Sequence, residues 1–152
     1  MDIGILPGIS HDPAFDSVPL WRHSPALIVP PGHPWAGRAL VTVAELDGQP
    51  MLMREAGSNT QRQMAAALHR AGATPRTVLE LGSREAILGA VAAGLGLGMV
   101  WKIEAAGDTR FCMIDIDDPE IFSVDYDACL RSESNRRIVR AMMALAAQIA
   151  QA

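Results

Sequence analysis

The sequence predicts an α/β fold, built as one domain or as two small lobes sharing one chain. Three observations predict it. The chain has 152 residues, 49% hydrophobic and 20% charged, which is enough apolar bulk for a real core. From Met51 onward the hydrophobic pattern runs strand, helix, strand, helix, strand, the order of βαβ units on a mostly parallel sheet. The last third runs strand, strand, helix, which suits a second, smaller sheet.

Each element has its own signal. "DIGIL" (Asp2–Leu6) reads as a short buried strand whose partners lie later in the chain. "HDPAFDSVPLWRHS" (His11–Ser24) carries two prolines and mixed polarity, which predicts irregular extended chain. Ala26–Val29 is a strand stopped by Pro30-Pro31. In "TVAELDGQP", Thr42 and Glu45 have capping-box spacing and Gly48 ends a single helical turn. Met51–Arg54 is a strand, followed by a helix from about Thr60 to Ala71 with Gly72 as its stop. Thr77–Gly82 is a strand, Ser83–Gly94 a helix with Ser83 as its cap, and Leu95–Trp101 a strand. Ile103–Gly107 is a connector. Arg110–Ile116 and Phe122–Arg131 are strands; in the second, Val124, Tyr126, Ala128 and Leu130 share one face, and Asp125 and Asp127 the other. Ser132 or Ser134 caps a last helix reaching about Gln148, with Ile138, Met142, Leu145 and Ile149 as its apolar stripe and Arg136, Arg137 and Arg140 outside.

Composition narrows the function. A net charge of -4 and 5% aromatic residues do not suit gripping nucleic acid. No apolar run approaches the roughly 18–20 residues that span a bilayer. The N-terminus lacks a basic start and an apolar h-region. Cys112 and Cys129, without CxxC spacing, read as packing residues in a reducing cytoplasm, with a single bridge as the alternative. His11, His23, His33 and His69 lack metal-ligand spacing, and the acidic run Asp115–Glu120 lacks the glycine and the oxygen pattern of a calcium loop. No metal and no cofactor is expected. No nucleophile has an adjacent base and GxSxG is absent, so an enzyme is not expected.

The strand-to-helix junctions carry the functional signal. Ser58-Asn59-Thr60-Gln61, after Gly57, is a capping-box pattern and also a helix N-terminus with hydroxyl and amide donors. Gly82-Ser83 repeats the arrangement after the next strand. On a parallel sheet both junctions fall on one edge, where ligands of open α/β sheets bind, and together they suit a carboxylate or phosphate. Arg54 and Arg84 are nearby cations, expected to be solvated. Gly94-Leu95-Gly96-Leu97-Gly98 follows a helix and leads into a strand, the reverse of a dinucleotide fingerprint, and predicts a helix stop with close packing.

"ALIVPPGHPWAGR", "LDGQPMLMREAGSNTQRQMAAALHRAG" and "LELGSREAILGAVAAGLGLGMV", in that order from Ala26 to Val100, resemble the effector-binding domain of LysR-type transcriptional regulators. The resemblance implies two lobes like those of type 2 periplasmic binding proteins, with mostly parallel sheets. Residues 1–30 and 106–152 would form a partial first lobe and residues 31–105 the second, with hinges near Val29–Pro31 and Ala105–Asp108. A small effector, commonly an organic acid, would sit between the lobes. The matching cleft positions are Glu55–Thr60, Gly82-Ser83 and Met99–Trp101, which makes Ser58, Asn59, Thr60 and Ser83 the expected donors and Trp101 a wall.

The first lobe of that family opens with a strand, a helix and a strand before the one that "DIGIL" resembles, so the first lobe is expected to be incomplete. DNA contact is expected only through an N-terminal helix-turn-helix absent from these residues. The family's side-by-side pairing implies a homodimer or tetramer in the cytoplasm, away from membranes. The alternative is a solute-binding protein or a stand-alone binding module. An enzyme reusing the fold, such as a dehydratase, would have Thr60 as its one nearby candidate.

Overall fold

The computed structural model describes residues 3–9 and 12–150. The predicted strand Asp2–Leu6 loses Asp2 to this limit, and His11 also lies outside the described residues. The chain divides into two compact units, one of Met1–Arg22 with Ser123–Ala152 and one of His23–Phe122.

The larger unit is built on a six-stranded sheet. Its strands are β3 (Pro25–Val29), β4 (Leu40–Val41), β5 (Pro50–Arg54), β6 (Arg76–Leu81), β7 (Leu97–Trp101) and β8 (Cys112–Ile116), in the order β4-β8-β3-β7-β5-β6. The β4–β8, β7–β5 and β5–β6 pairings are parallel, and β3 runs antiparallel to both its neighbours. The sequence-based lobe boundaries at 30/31 and 105/106 therefore differ from the units seen. β3 and β8 hydrogen-bond at the middle of this sheet, and the division falls outside them, at 22/23 and 122/123.

Helix α1 (Asn59–Ala71) and helix α2 (Arg84–Ala92) cover the two faces of this sheet. Met64, Ala67 and Leu68 of α1 pack with Leu27, Val29, Met51, Met53, Leu97 and Met99. Ile87, Leu88 and Val91 of α2 pack with Ile28, Leu52 and Val100. The strand residues of the two clusters alternate along the chain, as side chains on opposite faces of a sheet must.

The glycine run does what its position predicts. Gly94 takes a φ of +77° after α2, a conformation that L side chains avoid. A Cβ on Gly98 would lie 2.8 Å from Ile87 Cγ2, and one on Gly96 would lie 2.9 Å from the Pro50 carbonyl oxygen. Thr42 and Glu45 form the predicted turn at Val43–Leu46, where the Glu45 carboxylate accepts from the Thr42 N–H at 2.8 Å and from its hydroxyl at 3.0 Å. The predicted connector after Trp101 contains one helical turn, α3 (Lys102–Ala105).

The smaller unit has a three-stranded sheet of order β1-β9-β2, from β1 (Gly4–Pro7), β2 (Phe15–His23) and β9 (Ser123–Leu130), with helix α4 (Arg137–Ile149) against it. β1 pairs antiparallel with β9. The expectation of irregular chain over His11–Ser24 is corrected here. A nine-residue strand forms, because Pro19 lies on an edge strand and an edge does not need every N–H for the ladder.

Three further details of this unit depart from the sequence reading. Asp127, read on the acidic face opposite Val124, Tyr126, Ala128 and Leu130, is only 7% exposed. Neither serine caps α4. Arg131–Glu133 makes a 3-10 turn, the Ser134 hydroxyl donates to the Arg131 carbonyl, and Arg136 precedes the helix. The predicted stripe Ile138, Met142, Leu145 and Ile149 stands exposed, while Val139 and Ala146 are the buried residues of α4. Cys112 and Cys129 are both free thiols.

Candidate functional site

Three parallel strands point their C-terminal ends the same way. β5 ends at Arg54, β6 at Leu81 and β7 at Trp101, and the register sets Arg54 opposite Leu81. The Glu55 N–H donates to the Leu81 carbonyl at 3.3 Å, which ties the two following loops side by side. The loop after β5 leads to α1 on one face of the sheet, and the loop after β6 leads to α2 on the other. Neighbouring strands whose helices depart to opposite faces leave a crevice between the two loops, the topological switch point of an open α/β sheet. Ser58, Asn59, Thr60 and Ser83 are all at this edge, as the sequence pattern predicts.

Both serines cap their helices. The Ala86 N–H donates to Ser83 Oγ at 3.1 Å, and the Gln61 N–H donates to Ser58 Oγ at 3.4 Å. The second bond is long for its type, and the reciprocal half of the capping box does not form. Gln61 instead turns its side chain to β5, where Oε1 accepts from the Arg54 N–H at 3.0 Å. A Glu55–Ser58 turn closes with a bond of 2.9 Å from the Ser58 N–H. Arg62 holds the loop from behind, donating to the Gly57 carbonyl at 2.9 Å and to Asn59 Oδ1 at 3.5 Å. The donors of the first turn are thus presented from a braced loop. Behind Thr60 and Gln61 the packing leaves a cavity of only about 10 Å³.

The two junctions differ electrostatically. The first turn of α1 has no acidic residue, so the partial positive charge of its N-terminus is uncompensated. The first turn of α2 contains Glu85. A hydrogen bond from its own backbone N–H, followed by the Arg84 guanidinium, holds the Glu85 carboxyl below the ordinary range.

Both arginines are committed within the chain. Arg54 meets Glu55 at 2.8 Å and depresses its pKa through that hydrogen bond. Arg84 meets Glu85 at 2.9 Å and Glu104 at 3.3 Å, and the Glu85 hydrogen bond raises the pKa of Arg84. The edge therefore presents amide and hydroxyl donors while its two arginines are held in ion pairs, and the first turn of α1 lacks the carboxylate that the first turn of α2 carries.

Trp101 ends β7 on the same edge, but only 6% of its surface is exposed and it packs in the α1-side core. The Glu104 carboxylate accepts from its N–H at 3.0 Å. Among the described residues no three metal-ligating side chains gather, and no helix is long and apolar enough to cross a membrane.

Comparison with known proteins gives this geometry a lineage. The LysR substrate binding domain family matches residues 1–151. The chain is 36% identical over 112 residues to the HTH-type transcriptional regulator CbbR of Cereibacter sphaeroides, covering 73% of this chain and 36% of that protein. It is 34% identical over 100 residues to the DNA-binding transcriptional dual regulator OxyR of Escherichia coli K12, covering 66% of this chain and 33% of OxyR. The chain thus spans about a third of the length of these relatives.

Among solved structures, the Synechocystis PCC6803 CcmR regulatory domain in complex with 2-PG superposes with a TM-score of 0.87 at 25% identity, over 99% of this chain and 74% of that one. The effector binding domain of QuiR in complex with shikimate has the same TM-score at 16% identity, over 99% and 72%, a likeness of fold alone. The family match, running almost end to end and containing the parallel edge described above, settles the lineage: the chain belongs to the LysR substrate binding domain family.

Proposed function

We propose that this chain is the effector-sensing part of a LysR-type transcriptional regulator, binding a small anionic molecule at the Ser58–Thr60 and Gly82-Ser83 junctions. The observation that carries the reading is the switch point between β5 and β6, where two strand-to-helix junctions share one sheet edge. Ser58, Thr60 and Ser83 donate to a carboxylate or phosphate, the backbone of Asn59 belongs to the same first turn, and the position of Trp101 fixes the end of the neighbouring strand. Ligand-bound relatives support the class of guest, since the CcmR domain holds 2-PG and the QuiR domain holds shikimate. Binding shifts the balance between conformations of the sensing domain, and control of DNA follows from an N-terminal helix-turn-helix of the kind the curated relatives are named for. The reading makes the chain a binding module in the cytoplasm without catalytic residues or a cofactor, working as a homodimer or tetramer.

Calorimetry with a panel of small carboxylates and organic phosphates tests it. A ligand identified this way is expected to lose at least about tenfold in affinity in the Ser58→Ala, Thr60→Ala double variant, about 1.4 kcal/mol of lost hydrogen bonding. Unchanged affinity with an intact fold removes these residues from the site.

A further inference from the structure

Glu55, directly after β5, holds the Arg54 guanidinium with both carboxylate oxygens. Arg54 Nε donates to Glu55 Oε2 at 3.0 Å, and Arg54 Nη2 donates to Glu55 Oε1 at 2.8 Å. Two such bonds are the fork that a guanidinium offers to any carboxylate or phosphate. The strand sets where the fork points. Arg54 is two residues beyond Leu52, which packs in the α2-side cluster, and in register with Leu81, which packs against the same cluster. Alternation along a strand therefore sends Arg54 toward the α2 face. After the Glu85 backbone N–H and Arg84, the Arg54 charge is a third group that lowers the pKa of Glu85 in the first turn of α2. The guanidinium thus stands beside the α2 mouth, next to the strand end that continues into Gly82 and Ser83.

We propose that Glu55 stands in for the acid group of the guest: an effector carboxylate or phosphate takes the Arg54 fork at the α2 mouth, and the Glu55 side chain turns out to water. The inference rests on the anion-binding reading of this edge and adds to it the residue that sets its affinity. The two arginines of the edge differ in a way that singles out Arg54. Arg84 is divided between Glu85 and Glu104, whereas among the described residues Arg54 has Glu55 as its one carboxylate partner. The Arg54 side chain is 18% exposed and that of Glu55 41%, so the cation is fixed in the wall and its cover lies on the solvent side. A cover so exposed is weakly held. Its removal needs only a side-chain rotation, because the Glu55 N–H stays on the Leu81 carbonyl and its carbonyl on the Ser58 N–H. The exchange replaces one forked pair by another, so the guanidinium keeps a partner throughout. The Ser83 hydroxyl, which accepts from the Ala86 N–H, keeps its proton to donate to such a guest. Forked recognition favours a group with two oxygens over a spherical anion such as chloride.

Nuclear magnetic resonance titration of the 152-residue chain with inorganic phosphate tests the exchange, with sodium chloride holding the ionic strength constant. Wild type, Glu55→Gln, Arg54→Gln and the double variant are compared at pH 7. Phosphate is expected to shift the Arg54 Nε–H and the amides of Gly82 and Ser83. It should bind Glu55→Gln at least about fivefold more tightly than wild type, the scale of an exposed ion pair removed from competition. Adding Arg54→Gln should abolish that gain. Equal affinity in wild type and Glu55→Gln, with shifts at Gly82 and Ser83, overturns the competitor and leaves the anion-binding edge standing. A gain that survives Arg54→Gln also overturns it, because loss of a negative charge would then be the whole effect. No shift at either junction in any variant overturns both the competitor and the edge.

Discussion

Gly98 lies under α2 with no room for a methyl group. A Cβ there would meet Ile87 Cγ2 at 2.8 Å and Val91 Cγ2 at 3.2 Å. Gly98→Ala is expected to force α2 off the sheet at a cost of about 1–3 kcal/mol, read as a lower urea midpoint. Asp127 is the opposite kind of residue, a carboxyl that the fold tolerates at a cost. Burial pushes its pKa up, and the Ala128 N–H offsets this only in part. The folded chain therefore keeps this proton to a higher pH than the unfolded chain does. Between the two values the unfolded chain has lost it, so ionisation favours unfolding, and stability falls as pH rises from the ordinary carboxylate range near 4 through the raised value. Asp127→Asn keeps the acceptor and drops the charge. Its urea midpoint should exceed wild type at pH 7 and match it near pH 3.5, and equal midpoints at both would contradict the assignment. The glycine was legible in sequence because a run of three in alternation after a helix has few uses. Asp127 was not, because strand alternation gives two faces and does not say which is covered.

The elements divide by how their ends are marked. Between β5 and β7 each helix boundary carries a glycine, a serine or both, and the structure follows the sequence within a residue or two. The Ser83 cap is the cleanest case: removing its hydroxyl in Ser83→Ala should cost about 1 kcal/mol of stability, measured by chemical denaturation. The site junctions are legible for the same reason, since the residues that start a helix are those that leave its N–H groups facing outward. That α1 and α2 cover opposite faces was not legible, for it depends on strand order, and β7 pairs with β5 and not with β6, its predecessor in the chain. β2 was hidden by Pro19 and by a mixed pattern that an edge strand tolerates. α4 was found by its period, yet its buried flank was misassigned. With two apolar flanks on one helix, the larger side chains drew the stripe, and the smaller Val139 and Ala146 met the sheet.

At the scale of the molecule, the larger unit is contiguous in sequence and contains both large apolar clusters. Every residue of those clusters lies between Leu27 and Ile121. The smaller unit draws on both ends of the chain and, among its described residues, has only small buried hydrophobic side chains to hold them. Independent stability follows buried apolar area, offset against the entropy of ordering the chain. Residues 23–122 alone are therefore expected to fold. The excised segment should unfold in urea in one cooperative step, with circular dichroism and the fluorescence of Trp35 and Trp101 changing together. Trp21 is not in this segment, so both fluorescent groups report on the same unit. In the whole chain, Trp21 belongs to the smaller unit and should respond at lower denaturant than the two others, resolved by Trp→Phe substitution at each site in turn. A gradual, non-cooperative transition of the segment would mean that the six-stranded sheet needs the chain ends to stand, and that the two units are one folding body.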